Sequence, residues 1–484
     1  MLLSYQNTEG PLNRRIYIAM KGAIEAGRFG ADARLPSTRT LAADLKVSRN
    51  TVALAYEQLV AEGYIVARNR SMMRVSSAVA VTRRFKPIQL KRAKPKLSAQ
   101  AGRVMEASAL PPTSSFVTAP PPLHYDFRYG RPAISEFPHE IWRKLLAARL
   151  RQSSRGSLGY ASPAGYGPLR QALSGYVSRA RGISCNAEQI VIVNGSQQAF
   201  DLIARLLIDP GDKVVIEEPH YHGSRLTFEA AGAKLIGVPV DAEGLDTTRL
   251  PVTSAGVRLC CVSPSHQFPT GVVMPLARRL ALLEWTSRAG AWVVEDDYVS
   301  EFRYEGQPIE ALHALDRGDR TIYVGTFSKI MFPSLRLAYV VLPSALVEPF
   351  LALKWVTDRY TTMLGQEALT DLIASGHFER YLRRACTRNA KRRRTLIGAL
   401  REHFGERVEI AGDNSGVHLL VWLNQVKPRD VEKIIARAAR VGVGIYPITP
   451  YYSKPPDRAG LLLGYASLDE REIRAGIRRL ADVL

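Results

Sequence analysis

Cysteine is scarce in this sequence, and its spacing excludes two classes of small cross-linked protein. The 484 residues contain four cysteines, Cys185, Cys260, Cys261 and Cys386, and no C-x-x-C pair. A disulfide-rich secreted scaffold and a zinc ribbon both need more cysteines at short, regular spacings. We therefore expect reduced thiols in a cytoplasmic protein and no metal site.

The sequence also lacks a long uninterrupted hydrophobic run. Its most apolar region, 338–356, is broken by Pro343, Glu348, Pro349 and Lys354, whereas a membrane-spanning helix needs about 20 apolar residues in succession. The first residues, MLLSYQNTEGPLNRR, contain no apolar core of the kind that a secretory signal has. No membrane association is expected.

Acidic residues are in deficit, and the deficit is uneven along the chain. There are 66 Lys and Arg residues against 45 Asp and Glu residues, which gives a net charge of +21. Residues 1–122 hold 19 of the cations and seven of the acids, so a quarter of the chain carries over half of the excess charge. Crowded positive charge favours a polyanion through counterion release. A basic surface without a partner is the alternative.

Two short helices joined by a tight turn are predicted in this basic N-terminal part. Apolar residues recur at helical spacing over 11–27. In the following segment, LPSTRTLAADLKVSRNTVALAYEQLVAEGYI, Ser37 and Ser48 are the candidate N-caps of two helices, and the first helix ends near Lys46. The second helix begins with polar and basic residues, as in a helix-turn-helix.

The first turn of this second helix supplies candidate DNA contacts. Val52, Leu59 and Val60 form the expected inner face of the helix, which leaves its first turn free to reach the major groove. Short strands are predicted at 64–67 and 73–76, and the basic connection between them fits a wing over the DNA backbone. The contacts expected from these positions are Arg49, Asn50, Thr51, Arg68 and Arg70.

Residues 11–75 resemble the winged helix-turn-helix of the GntR family, whose members carry the pattern LPSxRxLA…VSRxTVxxAYxxLxxEGY. The resemblance implies that Arg39, Arg49 and Thr51 contact DNA, and that Ser37, at the start of the second of three helices, belongs to the DNA-binding set. The family's wing usually has a glycine-rich tip, whereas this chain has NRSMMRV. A helical bundle that packs against the rest of the chain is the alternative.

Residues 77–122 change in composition and predict a flexible, largely extended linker. They contain KPIQLKRAKPKL and then ALPPTSSFVTAPPP, in which basic residues and prolines replace periodic apolar residues. Its lysines and arginines are candidates for transient contacts with DNA phosphates. A solvated linker with no specific contact is the alternative.

From residue 125 onward, short apolar runs alternate with helical stretches. The runs QIVIVN, KVVIEEP, RLCCVSP, AWVVEDD and TIYVGTF predict buried strands. This alternation favours an α/β fold with a mostly parallel central sheet covered by helices. Ligands bind such sheets beyond the carboxyl ends of the strands.

Reactive residue types stand at the ends of these predicted strands. Lys329 and Arg336 lie in GTFSKIMFPSLRLAYV, Asp296 ends the run AWVVEDD, and NGSQ (194–197) joins a strand to a helix. Pyridoxal 5'-phosphate (PLP) needs a lysine amine for its aldehyde, a carboxylate for its ring nitrogen, and a helix N-terminus with an arginine for its phosphate. Each residue alone has an ordinary structural explanation, but their order and context together predict a PLP site.

The same region resembles fold-type I aminotransferases over 125–484, and especially the aminotransferase-like part of MocR-type regulators. The matching stretches are GYASPAGYGPLR, NGSQQAFDLIARLL, SPSHQFPTG, EDDYVSEFRY and GTFSK…LRLAY. The resemblance implies that Lys329 bonds covalently to the PLP aldehyde and that Asp296 pairs with the ring nitrogen. It also implies a homodimer in which Tyr160 reaches the phosphate held by the partner subunit. The remaining implied cofactor residues are Tyr298 and His266 at the phenolic oxygen, Tyr221 stacked on the ring, and Ser196, Gln197, Thr326, Ser328 and Arg336 at the phosphate.

One position departs from the aminotransferase pattern. Those enzymes usually have an arginine in an RLGFA-like stretch that clamps the α-carboxylate of the substrate, whereas this chain has LLLGYAS, with Leu462 at that place. Loss of the clamp is expected to weaken the binding and orientation of an amino acid. Arg458 is the candidate substitute.

The sequence predicts three domains and leaves three functions open. The domains are a GntR-type winged helix-turn-helix at 1–76, the linker at 77–122, and a PLP-binding aminotransferase-like domain at 123–484 with its large part near 170–350. The favoured function is a transcriptional regulator in which PLP, or an amine adduct of it, modulates promoter binding, with genes of vitamin B6 or amino-compound metabolism as targets. The alternatives are a working PLP-dependent aminotransferase with an auxiliary DNA-binding part, and a DNA-binding module on a scaffold that binds no cofactor.

Overall fold

The structure is a computed structural model of the chain. It describes residues 10–68, 72–79, 96–108, 123–152, 159–252, 255–306, 309–412 and 414–484, with the backbone alone at 68, 107 and 108. The chain divides into two compact units, Met1–Lys96 and Leu97–Leu484. We call the described residues of the first unit the head and those of the second unit the body. The boundaries expected after residues 76 and 122 stay a prediction.

The head is a three-helix unit followed by an antiparallel hairpin. Its elements are α1 (Leu12–Glu25), α2 (Thr38–Leu45), α3 (Arg49–Ala61), β1 (Ile65–Arg68) and β2 (Met72–Val75). Ile16 of α1 and Val52 and Leu59 of α3 are fully buried between the helices, and burial of each such side chain contributes about 1.5–3 kcal/mol. The predicted helix-turn-helix with two following strands is present.

Both helices of the helix-turn-helix begin at the serines that the sequence indicated. Ser37 Oγ accepts a hydrogen bond from Thr40 N–H, and Ser48 Oγ accepts one from Thr51 N–H, each at 3.1 Å. These bonds satisfy amides that a helix start leaves unpaired. The prediction was wrong for Val60, which is 38% exposed, because one residue turns a helix by about 100° and carries Val60 away from the face of Leu59.

The body contains twelve α-helices and fourteen strands among its described residues. The helices are α4 (Ala99–Ser108), α5 (His139–Gln152), α6 (Gly167–Arg181), α7 (Ser196–Leu207), α8 (His222–Ala231), α9 (Leu276–Ala289), α10 (Leu312–Leu315), α11 (Ser344–Thr357), α12 (Met363–Ala374), α13 (His377–Phe404), α14 (Val431–Arg440) and α15 (Glu470–Ala481). The strands are β3 (Tyr125–Asp126), β4 (Ile190–Val193), β5 (Lys213–Glu218), β6 (Lys234–Asp241), β7 (Gly244–Leu245), β8 (Val257–Val262), β9 (Trp292–Asp297), β10 (Thr321–Thr326), β11 (Ala338–Val341), β12 (Val408–Ala411), β13 (His418–Leu423), β14 (Val443–Gly444), β15 (Tyr446–Pro447) and β16 (Ala459–Gly464).

Eight strands form the large sheet of the body, in the order β4-β11-β10-β9-β8-β5-β6-β7. Neighbours from β10 to β6 are parallel, whereas β11 and β7 run antiparallel to their neighbours. Every residue of β4, β10 and β11 is buried, as expected when helices cover both faces of a sheet. The predicted α/β class and mostly parallel sheet are confirmed.

The strand directions bring the ends of four strands to one edge of the large sheet. β8, β9 and β10 are parallel, and β4 points the same way because β11 is antiparallel to both β4 and β10. The residues that follow Val193, Val262, Asp297 and Thr326 therefore meet at this edge. A second, antiparallel sheet of order β12-β13-β16-β15 and a parallel pair β14-β3 complete the body.

Part of the predicted extended linker is helical instead. The sequence AQAGRVMEAS forms α4, whose start is capped by Ser98 Oγ accepting from Ala101 N–H at 3.1 Å. Arg103 Nε donates to the carbonyl of Ala230 in α8 at 3.0 Å. The linker prediction is corrected here, because a short capped stretch with few β-branched residues gains tertiary contacts that composition does not reveal. The rest of the predicted linker lies mostly outside the described residues.

No helix among the described residues has the length and apolar content needed to cross a membrane.

Candidate cofactor site and DNA-reading surface

Lys329 lies in the turn that follows β10, at the edge where the strand ends meet. Its Nζ donates to the backbone carbonyl of Gly130 at 3.2 Å. Burial lowers the pKa of the Lys329 amine, and the nearby Arg336 lowers it further, whereas Asp296 opposes both effects. A lowered pKa makes more of the neutral amine available, which is the form that attacks an aldehyde.

Asp296 lies beside this lysine on the adjacent strand. The parallel register pairs Asp296 of β9 with Val324 of β10, and the carboxyl is buried. Burial, with the negative charge of Asp297 added, raises the pKa of Asp296 to about 7. A cationic ring nitrogen placed against this carboxylate would be stabilised and would stabilise the carboxylate in return.

Asp297 has a different, structural role. Its carboxylate pairs with Arg181 Nε at 2.9 Å and accepts from the hydroxyl of Tyr323 at 2.6 Å. Successive side chains of a strand point to opposite faces of the sheet, so Asp296 and Asp297 cannot both face the same pocket. Since Asp297 is already paired, this geometry favours Asp296 as the partner of a ring nitrogen.

Tyr298 and His266 lie together next to these carboxyls. Their ring centroids are 5.7 Å apart, and the buried hydroxyl of Tyr298 has no hydrogen-bond partner among the described residues. His266 Nδ1 lies 2.8 Å from Ser415 Oγ. Burial and the neighbouring His418 lower the pKa of His266 well below its ordinary value, so the imidazole is neutral. The unpaired hydroxyl of Tyr298 can therefore donate a hydrogen bond to the phenolic oxygen of a ligand such as PLP, beside the neutral imidazole of His266.

The turn between β4 and α7 forms the candidate phosphate end of the site. Gly195 has φ +86° and precedes Ser196, the first residue of α7. Arg336 Nη2 donates to the carbonyl of Asn194 at 2.8 Å, and a Cβ at Gly195 would lie 2.6 Å from the same nitrogen. A helix N-terminus with an arginine beside it is a favourable site for a phosphate dianion.

The other phosphate candidates differ in how free their side chains are. Thr326 Oγ1 accepts from Ser328 N–H at 3.2 Å, which places both hydroxyl residues in one turn next to Lys329. The side-chain amide of Gln197 already donates to the Gly223 carbonyl and to Thr227 Oγ1. Gln197 therefore offers its backbone N–H at the start of α7 more readily than its side chain.

Tyr221 immediately precedes α8 and packs in an aromatic cluster. Its ring makes an edge contact with Phe268, with centroids 5.8 Å apart, and burial raises the pKa of its hydroxyl to about 12. The cluster also contains Tyr129, Tyr451 and Leu462. A ring in this position suits stacking on a flat heteroaromatic ligand.

Tyr160 stands apart from the buried pocket residues. It is 87% exposed, and its ring contacts Tyr360 and lies under the guanidinium of Arg359, with centres 6.4 Å and 5.8 Å away. The neighbouring Asp358 accepts from the side chain of Asn194 at 2.7 Å. Tyr160 thus borders the surface on which the phosphate turn opens.

These residues fit PLP. Each polar part of PLP has a candidate partner here. The phenolic oxygen has the unpaired hydroxyl of Tyr298, the aldehyde has the Lys329 amine with its lowered pKa, the ring nitrogen has the buried Asp296, and the phosphate has the turn at Gly195 with Arg336. When bound, PLP supplies an electron sink at the position that this pocket surrounds. No group of three or more His, Cys, Asp and Glu within the described ranges could hold a metal ion.

The carboxylate-clamp position is apolar in the structure as well. Leu462 is fully buried in β16, opposite Leu420 of β13. The candidate substitute Arg458 is engaged elsewhere, since its guanidinium pairs with Glu409 and lies 4.8 Å from the ring centre of Trp422. Arg458 thus lies in an exposed ion pair in this structure.

The candidate DNA contacts lie on one part of the head. Arg39 on α2 and Arg49 and Asn50 at the start of α3 are exposed. Thr51 is half-buried, and its hydroxyl lies 2.7 Å from Ser48 Oγ. The side chain of Arg68 and the whole of Arg70 lie outside the described residues.

Three contributors to the site were not identified from the sequence. The Gly130 carbonyl holds the Lys329 amine, His418 lies 5.5 Å from His266 between ring centroids, and Arg181 neutralises Asp297. Strand alternation at Asp296 and Asp297 was an available signal for the last of these. The first two come from distant parts of the chain, and no local pattern predicts them.

Comparisons with known proteins agree with this architecture. Residues 12–75 match the family of bacterial regulatory proteins, gntR family, and residues 133–480 match aminotransferase class I and II. The chain is 37% identical to the probable rhizopine catabolism regulatory protein MocR of Rhizobium meliloti, over 99% of this chain and 95% of that protein. It is 27% identical to the pyridoxine biosynthesis transcriptional regulator PdxR of Corynebacterium glutamicum, over 93% and 91% of the two chains.

A solved structure matches the body. It is LysN, an alpha-aminoadipate aminotransferase of Thermus thermophilus, complexed with N-(5'-phosphopyridoxyl)-L-leucine; the identity is 29%, the TM-score is 0.71, and the match covers 80% of this chain and 97% of LysN. The predicted fold-type I architecture and PLP as its cofactor are confirmed. The chain belongs to the MocR-type family of helix-turn-helix transcriptional regulators, in which a gntR-type head is joined to an aminotransferase class I and II domain.

Proposed function

We propose that this chain is a PLP-dependent transcriptional regulator that binds promoter DNA through α2 and α3, and that PLP held at Lys329 modulates this binding. The observation that supports this most strongly is the Lys329 amine, which lies beside Asp296 and whose pKa is lowered by burial. The same chain contains a helix-turn-helix whose two helices are capped by serines. A cofactor changes DNA affinity only if it prefers one arrangement of the protein over another. The targets proposed are genes of vitamin B6 or amino-compound metabolism, in the cytoplasm.

The proposed regulator is a homodimer. A cavity of about 560 Å³ on the body is lined by Tyr160, Arg359, Tyr360 and Met363, and it borders the loop that contacts Asn194. The exposure of Tyr160 on this surface supports its proposed role at the phosphate of a partner subunit. A dimer would place two heads on DNA, and half-sites about 34–36 Å or a multiple apart are then expected.

The effector proposed is PLP itself or an amino compound joined to it. The clamp position holds the buried Leu462, and Arg458 pairs with Glu409 instead of facing that position. Weak orientation of amino acids disfavours turnover and is compatible with sensing.

A working aminotransferase is the second candidate. It is favoured by the groups proposed to face PLP, which are Lys329, Asp296, Tyr298 and Arg336, and by the likeness of the body to LysN. Sustained exchange between an amino acid and a keto acid would support the enzyme. Binding of PLP without exchange would support the regulator.

Trapping the bound cofactor tests the proposal. PLP is added to the full chain, the imine bond is reduced with borohydride, and the labelled peptide is identified by mass spectrometry. We expect the label on Lys329 and no label on Lys354, a second buried lysine whose amine is ion-paired with Asp358 at 2.8 Å. A label elsewhere, or none, would remove Lys329 from the proposed function.

A further inference from the structure

A second polar cavity opens along α13 of the body. It has a volume of about 660 Å³, and no residue assigned to the PLP site lines it. We call it the α13 groove. Six cations line it: Arg383, Arg384, Arg388, Lys391, Arg392 and Arg394. Three carboxylates line it as well, so positive charge is in excess there.

The three carboxylates of the α13 groove are already engaged. Glu136 lies 3.9 Å from Arg388 and 3.6 Å from Arg392. Glu470 pairs with Lys391 at 3.4 Å. Asp469 caps α15 by accepting from two backbone N–H groups, each at 2.8 Å. None of these carboxylates neutralises the remaining arginines.

Arg383, Arg384 and Arg394 are therefore the unneutralised cations of the α13 groove. All three side chains are exposed, and none forms an ion pair with a carboxylate of the described residues. Exposed cations without paired carboxylates attract a polyanion, whose binding is favoured by counterion release.

Arg392 adds a buried donor to the same place. Its side chain is 8% exposed, its Nη1 donates to the Ala466 carbonyl at 2.6 Å, and its Nε has no partner within the described part of the chain. Burial, with the charge of Arg388 added, lowers the pKa of Arg392. Arg388 and Arg392 share the one carboxylate of Glu136, so an anion in the groove would supply a second counter-charge beside them.

The spacing of the cations indicates an extended anion. Residues 383 and 394 are 11 positions apart on α13, which corresponds to about 16 Å along a helix axis. One strand of DNA carries a phosphate about every 3.4 Å along the duplex axis, so a backbone can satisfy all these cations together. A single free phosphate would reach only one end of the set.

We propose that the α13 groove binds the phosphate backbone of double-stranded DNA, outside the segment that α3 reads. The contact carries no sequence information, adds affinity, and makes binding more sensitive to salt. It rests on the proposed function only in that the chain must bind DNA. Such a regulator binds its promoter through the body as well as through the head.

The test uses the full chain with PLP and two duplexes from the DNA upstream of its own gene. One duplex is long, and the other is trimmed to the segment protected by the head. The variant carries R383Q, R384Q and R394Q, and the matched control carries R437Q, R440Q and R478Q, which are exposed arginines of α14 and α15 outside the groove. Affinity is measured over a series of salt concentrations.

The slope of log K against log salt is negative, and we expect the groove variant to make it shallower by about 3 on the long duplex. Each lost phosphate contact reduces the magnitude of the slope by about 0.9. The control is expected to keep the wild-type slope, and the groove variant is expected to match wild type on the trimmed duplex. The visible absorbance of bound PLP stays unchanged.

Three results would overturn the proposal. Equal slopes for the groove variant and the control would show that net charge, and not the groove, matters. A changed sedimentation mass with unchanged DNA affinity would assign the groove to contacts between copies. If wild type binds neither duplex, the proposed function itself fails and the groove proposal falls with it.

Discussion

Asp296 and Lys329 show how neighbouring strands create reactivity from two ordinary side chains. The parallel register of β9 and β10 places the carboxyl near the amine, and burial shifts the pKa of Asp296 upward and that of Lys329 downward. Both shifts favour the neutral forms, because a charge buried without a partner is costly. The pocket is thus prepared for a ligand that supplies an aldehyde and a cationic ring nitrogen.

Asp296→Asn tests this electrostatic arrangement through the pH dependence of stability. The folded-state pKa is about 7 and the ordinary value is 3.8, so the folded wild type binds more protons between these values and loses stability as pH rises through them. In the cofactor-free protein, we expect the melting temperature of the variant minus that of wild type to increase across this window and then level off. The variant should also lose most of the stabilisation by PLP. A difference that is constant with pH would contradict the prediction.

Gly195→Ala tests the phosphate turn. The new Cβ would lie 2.6 Å from Arg336 Nη2, so the arginine must move, and affinity for PLP is expected to fall at least about tenfold, the equivalent of one charge-assisted hydrogen bond. Gly211→Ala is the matched control: it also has positive φ, +101°, but its Cβ would meet nothing within 4 Å. Titrations with equal PLP affinity for the two variants would exclude a role for the Arg336 position.

At the scale of residues, the sequence indicates which side chains suit a PLP site, and the fold determines which of these side chains lie together. Asp296 was preferred to Asp297 from the sequence, and Arg181 on α6 explains why, since it occupies Asp297 from the other face. The bonds of the Gln197 side chain to α8 were not predictable, because α8 follows β5 and no local pattern relates the two. Contacts between distant segments depend on the topology of the sheet.

At the scale of elements, α3 is the structure that should determine sequence reading. Ser48 caps it, and Arg49 and Asn50 are exposed in its first turn. Arg49→Ala is expected to weaken binding to the promoter by about 1–3 kcal/mol and to relax specificity at one base position. Arg28→Ala, an exposed arginine that follows α1, is the control. Footprinting or anisotropy titration measures both, and an unchanged affinity for Arg49→Ala would remove it from the interface.

Elements with a strong local pattern were predictable and those that depend on packing were not. The runs KVVIEEP and AWVVEDD gave β5 and β9 nearly to the residue, because strands buried on both faces are continuously apolar. The helix α4 was missed, since it lies within a basic and proline-rich segment and makes its contact with α8 through Arg103. Ten residues without that contact would be marginal as a helix.

At the scale of the whole molecule, the proposed PLP site needs two chains. Tyr160 is 87% exposed and borders the surface near Asn194, and the proposal gives it to the phosphate of the partner. Tyr160→Phe removes only the hydroxyl, so we expect weaker PLP binding with an unchanged melting temperature of the cofactor-free protein. The measurement is a PLP titration at several protein concentrations, and a wild-type affinity independent of dimer formation would argue against a shared site.

The coupling between PLP and DNA is the most direct test of the whole account. Promoter affinity is measured for wild type and for Lys329→Ala, each with and without PLP. We expect PLP to change the affinity of wild type by roughly 5- to 150-fold, the usual range of coupling between two sites, and to leave that of Lys329→Ala unchanged. The same PLP effect in both proteins, or none in wild type, would contradict the claim that the cofactor at Lys329 controls the DNA-binding head.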